Sequence, residues 1–169
     1  MAVGSQNNFF KFIIDTGSGT MLLNDKKCSS KECCKRKQFD SQNSPSYEPI
    51  HQEVRINYGK GFVELEMGKE TIFFKEKLIH GMTFGFIVKE DNVFKEASFE
   101  GILGLSYPAL AEGEPFFDKL MDLKILPKNI FALYLTKTIN NNKSKLLFGG
   151  ISEKYYHRPL VYHKVIKKT

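Results

Sequence analysis

Residues 9–18 read Phe9-Phe10-Lys11-Phe12-Ile13-Ile14-Asp15-Thr16-Gly17-Ser18, an apolar run that delivers one carboxylate into a glycine turn. Four of the five residues from Phe10 to Ile14 are Phe or Ile, the pattern of a fully buried strand. Gly17 permits a tight turn, and the hydroxyls of Thr16 and Ser18 can donate to the Asp15 carboxylate. A carboxylate fixed in this way is a candidate acid or base. Taken as three letters, D-T-G is also an ordinary turn.

Three further motifs follow in order. Residues 54–67 form two alternating runs joined by Tyr58-Gly59-Lys60-Gly61, which reads as a hairpin with a flexible tip carrying one aromatic. Next comes Phe99-Glu100-Gly101-Ile102-Leu103-Gly104-Leu105-Ser106-Tyr107-Pro108, and then Leu146-Leu147-Phe148-Gly149-Gly150-Ile151 leads into Tyr155-Tyr156. Other strand-like runs at 71–74, 82–88, 131–135 and 145–148 are separated by Gly, Pro, Asn and Ser, so the chain reads as mostly β. One helix is expected over 115–123, with Phe116, Phe117, Leu120 and Leu123 on its core face and Pro115 at its start.

At 169 residues, 41% apolar, with 15 Phe and 7 Tyr, the chain is long enough for one domain with a real core. No apolar stretch is long enough to span a membrane, and the first residues lack the pattern of a signal peptide. Cys28, Cys33 and Cys34 suggest either a small disulfide loop or part of a metal site. Zinc fails on ligand count, because His51, His80, His157 and His163 are scattered; no metal and no cofactor is expected. The net charge is +6, with Lys26, Lys27, Lys31, Lys35, Arg36 and Lys37 around the cysteines and Lys164, Lys167 and Lys168 near the end. That cluster lacks interleaved aromatics for base stacking and reads as a solvated surface loop rather than a nucleic-acid site. Asn142-Lys143-Ser144 is a formal glycan acceptor, although a bare Asn-rich loop is the simpler reading.

Taken in order, D-T-G-S, Y-G-x-G, F-x-G-I-L-G-L-x-Y-P and L-x-G-G-I with a following Y-Y resemble the amino-terminal lobe of a pepsin-like aspartic endopeptidase. In flavour they are nearest the apicomplexan plasmepsins. The resemblance spans nearly the whole chain, so residues 1–169 are expected to be one such lobe, a six-stranded, barrel-like β domain with one or two short helices. It implies Asp15 as the catalytic aspartate, Thr16 as a tie between two active-site loops, Gly17 as part of the catalytic turn and Ser18 as donor to the outer oxygen of Asp15. It implies Tyr58, Gly59 and Gly61 as a flap over substrate, and Ile102 with Val93 or Phe94 as the lining of an apolar pocket. It also implies a Cys28–Cys33 disulfide, hence an oxidising setting such as the secretory pathway, an acidic vacuole or the extracellular space. Cys34 is then left to pair with another chain, to pair with Cys28 instead, or to stay reduced.

Two departures stand out. The family commonly has a Trp after D-T-G-S that bonds the flap Tyr, whereas here Gly19-Thr20-Met21-Leu22-Leu23 follows and the chain has no Trp. Leu22 cannot make that bond, so a less restrained flap is expected. The mechanism also needs two carboxylates sharing a proton, yet none of Asp25, Asp40, Asp91, Asp118 and Asp122 is followed by Thr or Ser and then Gly. The expected partner is therefore a carboxyl-terminal lobe carrying the second Asp, besides the protein or peptide substrate. The alternatives are a homodimer with Asp15 from each chain and a pepsin-fold module that binds peptide without cutting it. Against the family the sequence looks short at both ends, so an exposed sheet edge and an uncovered apolar floor are expected.

Overall fold

The computed structural model describes residues 1–4, 8–58, 61–91, 94–137 and 143–166. The chain divides into two units, Met1–Asp118 and Lys119–Lys168.

The first unit is an eight-stranded sheet in the order β2-β1-β6-β7-β4-β8-β3, with β5 paired to β6. The strands are β1 (Ala2–Val3), β2 (Asn8–Phe9), β3 (Phe12–Asp15), β4 (Leu22–Asn24), β5 (Glu48–Tyr58), β6 (Gly61–Phe74), β7 (Lys77–Glu90) and β8 (Gly101–Gly104). β6 runs unbroken where the sequence suggested two strands. Its early residues pair with β5 and its last ones, Ile72 and Phe73, with β1, while β7 follows its other side. Register shifts at Glu64/Leu65 and Glu70/Ile72 bend the pair, as bulges do, and help to curl the sheet into a half-barrel. Alternation decides which face is inside: Val63, Leu65 and Met67 are buried, while Glu64 and Glu66 between them are not.

Among the described residues, two apolar groupings stand out in this unit. One gathers Leu22, Val63, Leu65, Met67, Ile87, Phe94 and Ile102 with both Cys28 and Cys33. The other is aromatic, with Phe39 against Phe10 and Phe86, and Tyr47 edge-on to Phe86 at 5.1 Å. Cys28 and Cys33 are joined by a disulfide around the short helix α1 (Lys31–Cys34), and Cys34 is free and exposed.

Three expectations need correction. The run Phe10–Ile14 is not a fully buried strand: Phe10 is buried, but Ile13 and Ile14 are 46% and 39% exposed. The reason is position, since β3 ends the sheet and, among the described residues, pairs only with β8. The basic loop is not simply a solvated surface. Lys26 pairs with Asp40, Lys27 with Glu66, Lys35 with Glu32, and Arg36 with Glu90 in the interior. The helix is α2 (Phe116–Asp122). Phe116 and Leu120 are buried as expected, but Leu123 lies beyond the last turn and is exposed.

The second unit is built on the antiparallel pair β9 (Phe131–Tyr134) and β10 (Lys145–Phe148), in register from Lys145↔Tyr134 to Phe148↔Phe131. Tyr134 packs on Tyr155 at 4.8 Å, so the first Tyr of the Y-Y pair closes over the strand pair. Asn142, the candidate glycan acceptor, lies outside the described residues. Among the described residues no helix is long and apolar enough to cross a membrane, and no cluster of His, Cys, Asp or Glu could hold a metal ion.

Candidate active site

Asp15 is the last residue of β3 and stands opposite Gly104, the last residue of the parallel strand β8. Its two carboxylate oxygens are held separately. The Gly17 N–H donates to Oδ1 at 2.9 Å, and the Ser18 hydroxyl donates to Oδ2 at 2.6 Å. A short O–H···O⁻ bond of this kind is charge-assisted and among the stronger side-chain bonds. The Asp15 carbonyl accepts from Leu105 N at 2.8 Å, so backbone and side chain are both pinned.

The turn is then laced to the segment after β8. Ser106 N donates to Ser18 O, Gly19 N to Leu110 O, and Glu112 N to the Thr20 hydroxyl. This approach is close enough that a Cβ on Gly104 would lie 2.5 Å from the Gly19 carbonyl carbon and 2.7 Å from Thr20 O. A Cβ on Gly101 would meet Leu22 O at 2.4 Å. The two glycines of G-I-L-G thus let β8 slide between the Asp15 turn and β4.

Across from this turn stands the β5–β6 hairpin. Tyr58 pairs with Gly61 at its end. A cleft of about 580 Å³ separates hairpin from turn, bounded by Ser18, Leu22, Ile56, Tyr58, Leu110 and Glu112 among others. Burial, and then the negative charge of Asp15, push the Tyr58 phenol above its ordinary pKa. The tyrosine and the carboxylate therefore share one electrostatic environment.

Over residues 1–169 the sequence matches the family described as Eukaryotic aspartyl protease. The chain belongs to that family. Among curated relatives, it is 32% identical to pepsin A-5 of Mus musculus, covering all of this chain and 44% of that one. It is 33% identical to a pregnancy-associated glycoprotein of Equus caballus, with 99% and 44% covered. Aspartic protease 3 of Toxoplasma gondii is 30% identical, with 95% and 26% covered. This aspartyl protease chain thus spans less than half the length of those relatives. Vertebrate and apicomplexan proteins match it at nearly the same identity, so a plasmepsin flavour is not singled out.

The fold of this family member sets Gly17, Ser18 and Tyr58 around one cleft, with the Asp15 carboxylate bonded to the first two. Thr16 is exposed beside them. Ile102 and Phe94 lie in the buried cluster against which Tyr58 packs. Gly59 and Val93 lie outside the described residues. Leu22, at the position expected to hold Trp, is buried and lines the cleft near Tyr58. The sequence reading missed Arg55, Asn57 and residues 109–112 as wall. Arg55 and Asn57 could have been found from their closeness to Tyr58. Residues 109–112 are tied to the turn by the bonds at Leu110 O and Glu112 N, which leave no local signature.

Proposed function

We propose that this chain is the Asp15-bearing lobe of an aspartic endopeptidase, which hydrolyses peptide bonds when a second lobe supplies a second aspartate. The observation that carries this reading is the hold on Asp15: its two oxygens accept from Gly17 and Ser18, and those two residues line a cleft that the Tyr58 hairpin faces. Two such carboxylates brought close share one proton, because two like charges cannot both ionise there. The ionised member takes a proton from water while the neutral member gives one to the scissile carbonyl, and no covalent intermediate forms. In this scheme Ser18 keeps Asp15 aimed, and Thr16, exposed in the turn, ties the loop to its counterpart in the second lobe. Tyr58, Gly59 and Gly61 close over the peptide, and Ile102 with Phe94 or Val93 backs the apolar pocket for the side chain before the cut. Family membership supports the reaction class. The partial span of the relatives supports a partner lobe, and the Cys28–Cys33 disulfide supports the secretory pathway, an acidic vacuole or the extracellular space as setting.

The test is cleavage of a quenched apolar peptide at acidic pH over a range of protein concentrations, with Asp15→Asn alongside. With a homologous carboxyl-terminal lobe added, the wild-type chain cuts and Asp15→Asn loses about 10³-fold in rate. Activity of the chain alone that rises with the square of its concentration would replace this reading with the homodimer. Binding of peptide without cleavage, partner lobe present, would replace it with a non-enzymatic module.

A further inference from the structure

Tyr58 has no tryptophan to bond to, yet it is half-buried rather than loose. Its ring stands edge-on to Phe94 at 6.1 Å. Phe94 in turn lies edge-on to Phe99 at 5.7 Å and under the guanidinium of Arg36, whose Cζ is 5.4 Å from the ring centroid. Arg36 is fixed from three sides. Its Nη2 is paired with Glu90, its Nη1 donates to Phe99 O at 3.5 Å, and its backbone N–H donates to Cys33 O in the disulfide loop. The side chains of Arg36 and Glu90 are 7% and 0% exposed.

Arg36 Nε and Glu90 Oε1 are buried without a hydrogen-bond partner among the described residues. A buried ion pair with two orphaned atoms is poorly suited to adding stability, since an apolar pair of similar volume would do as well. Its geometry does something else: it clamps a planar cation on one ring of an aromatic chain whose far end is the hairpin tyrosine.

We propose that Arg36, Glu90 and Phe94 are positioning residues for Tyr58, a buried ion pair and an aromatic ring doing the anchoring that the family commonly assigns to a hydrogen bond from Trp. The proposal rests on Tyr58 being the flap of the reading above, and it places the anchor of that tyrosine beside the disulfide loop, to which Arg36 N is bonded at Cys33 O.

The test is made on the full 169-residue chain, with ¹³C-labelled tyrosine and Tyr58 assigned through Tyr58→Phe. Phe94→Leu keeps the site apolar and filled, and so leaves the fold intact. In it the Tyr58 ring signals move at least halfway to their unfolded positions, and the Asn57 and Tyr58 amides exchange at least tenfold faster. Leu23 and Ile87, on β4 and β7, keep wild-type protection. The double variant Arg36→Met/Glu90→Gln shifts Tyr58 the same way, and Arg36→Lys, which keeps charge but not the planar fork, lies between. Unmoved Tyr58 signals in Phe94→Leu overturn the proposal even if the double variant fails to fold. Equal loss of protection at Tyr58, Leu23 and Ile87 overturns it as well, because that is the result of a purely structural cluster. None of these readouts needs turnover, so a failure of the Asp15→Asn cleavage test remains distinguishable from a failure here.

Discussion

Asp15 owes its fixed carboxylate to residues two and three positions along the chain, and its platform to a strand nearly ninety residues away. Gly104 is the contact that admits both. An Ala there would have to displace backbone at Gly19 and Thr20, which cannot rotate aside as a side-chain tip can. Gly104→Ala is expected to lower stability by about 3 kcal/mol, the upper end of the range for overpacking. Gly150→Ala, whose Cβ would enter open space, should change it by less than about 0.5 kcal/mol; urea midpoints of the two variants check this. A different carboxylate, Asp25, makes stability depend on pH. Asp25 is buried in the turn after β4, and burial raises its pKa, opposed by its bond from Lys27 N. From the ordinary Asp value of about 3.8 up to the raised one, the folded state holds a proton that the unfolded state has released, so stability contributed at this site falls as pH rises through that window. Below the window the penalty is absent. In urea titrations, wild type should therefore lose stability relative to Asp25→Asn as pH climbs from about 4, and the difference should level off once Asp25 is ionised in the fold. At this scale the sequence was most legible for the turn, because D-T-G-S makes its bonds within itself. It was least legible for Arg36, which looks like one more lysine-loop cation until Glu90, 54 residues on, is brought beside it.

Elements were legible in proportion to how far local alternation decides them. The second half of β5 and the first half of β6 follow period-two patterns, and the sequence located the hairpin they form. β8 was missed as a strand because four residues bounded by glycines carry no propensity; it is extended only because β3 and β4 flank it. The composition of β3 predicts burial, whereas exposure there depends on which strand comes last in the sheet. The Cys28–Cys33 loop is the element most open to experiment. It closes a separation of five residues, and both sulfurs sit in the core beside Leu65 and Ile87. Replacing both cysteines by Ala is expected to cost about 2–4 kcal/mol, from a less constrained unfolded chain. Cys34→Ser, at an exposed free thiol, should stay within about 0.5 kcal/mol. Chemical denaturation under non-reducing conditions separates the two outcomes.

For the whole molecule, the order of motifs was enough to name a fold class, while strand order was not readable from it. β4 pairs parallel with β7 and antiparallel with β8, and β8 pairs parallel with β3; no periodicity encodes those directions. The parallel pairing of Asp15 with Gly104 has a consequence for synthesis. The bonds from Gly17 and Ser18 can form as soon as the turn leaves the ribosome, but the strand that carries Asp15 has, among the described residues, no partner strand until Gly104 and Leu105 have followed. Contacts of such long separation form late, after their loop-closure entropy has been met by other pairings. A nascent or proteolysed chain ending before Gly104 would carry the whole D-T-G-S signature without the platform that aims it. The acid group is thereby withheld until most of the first unit has been made.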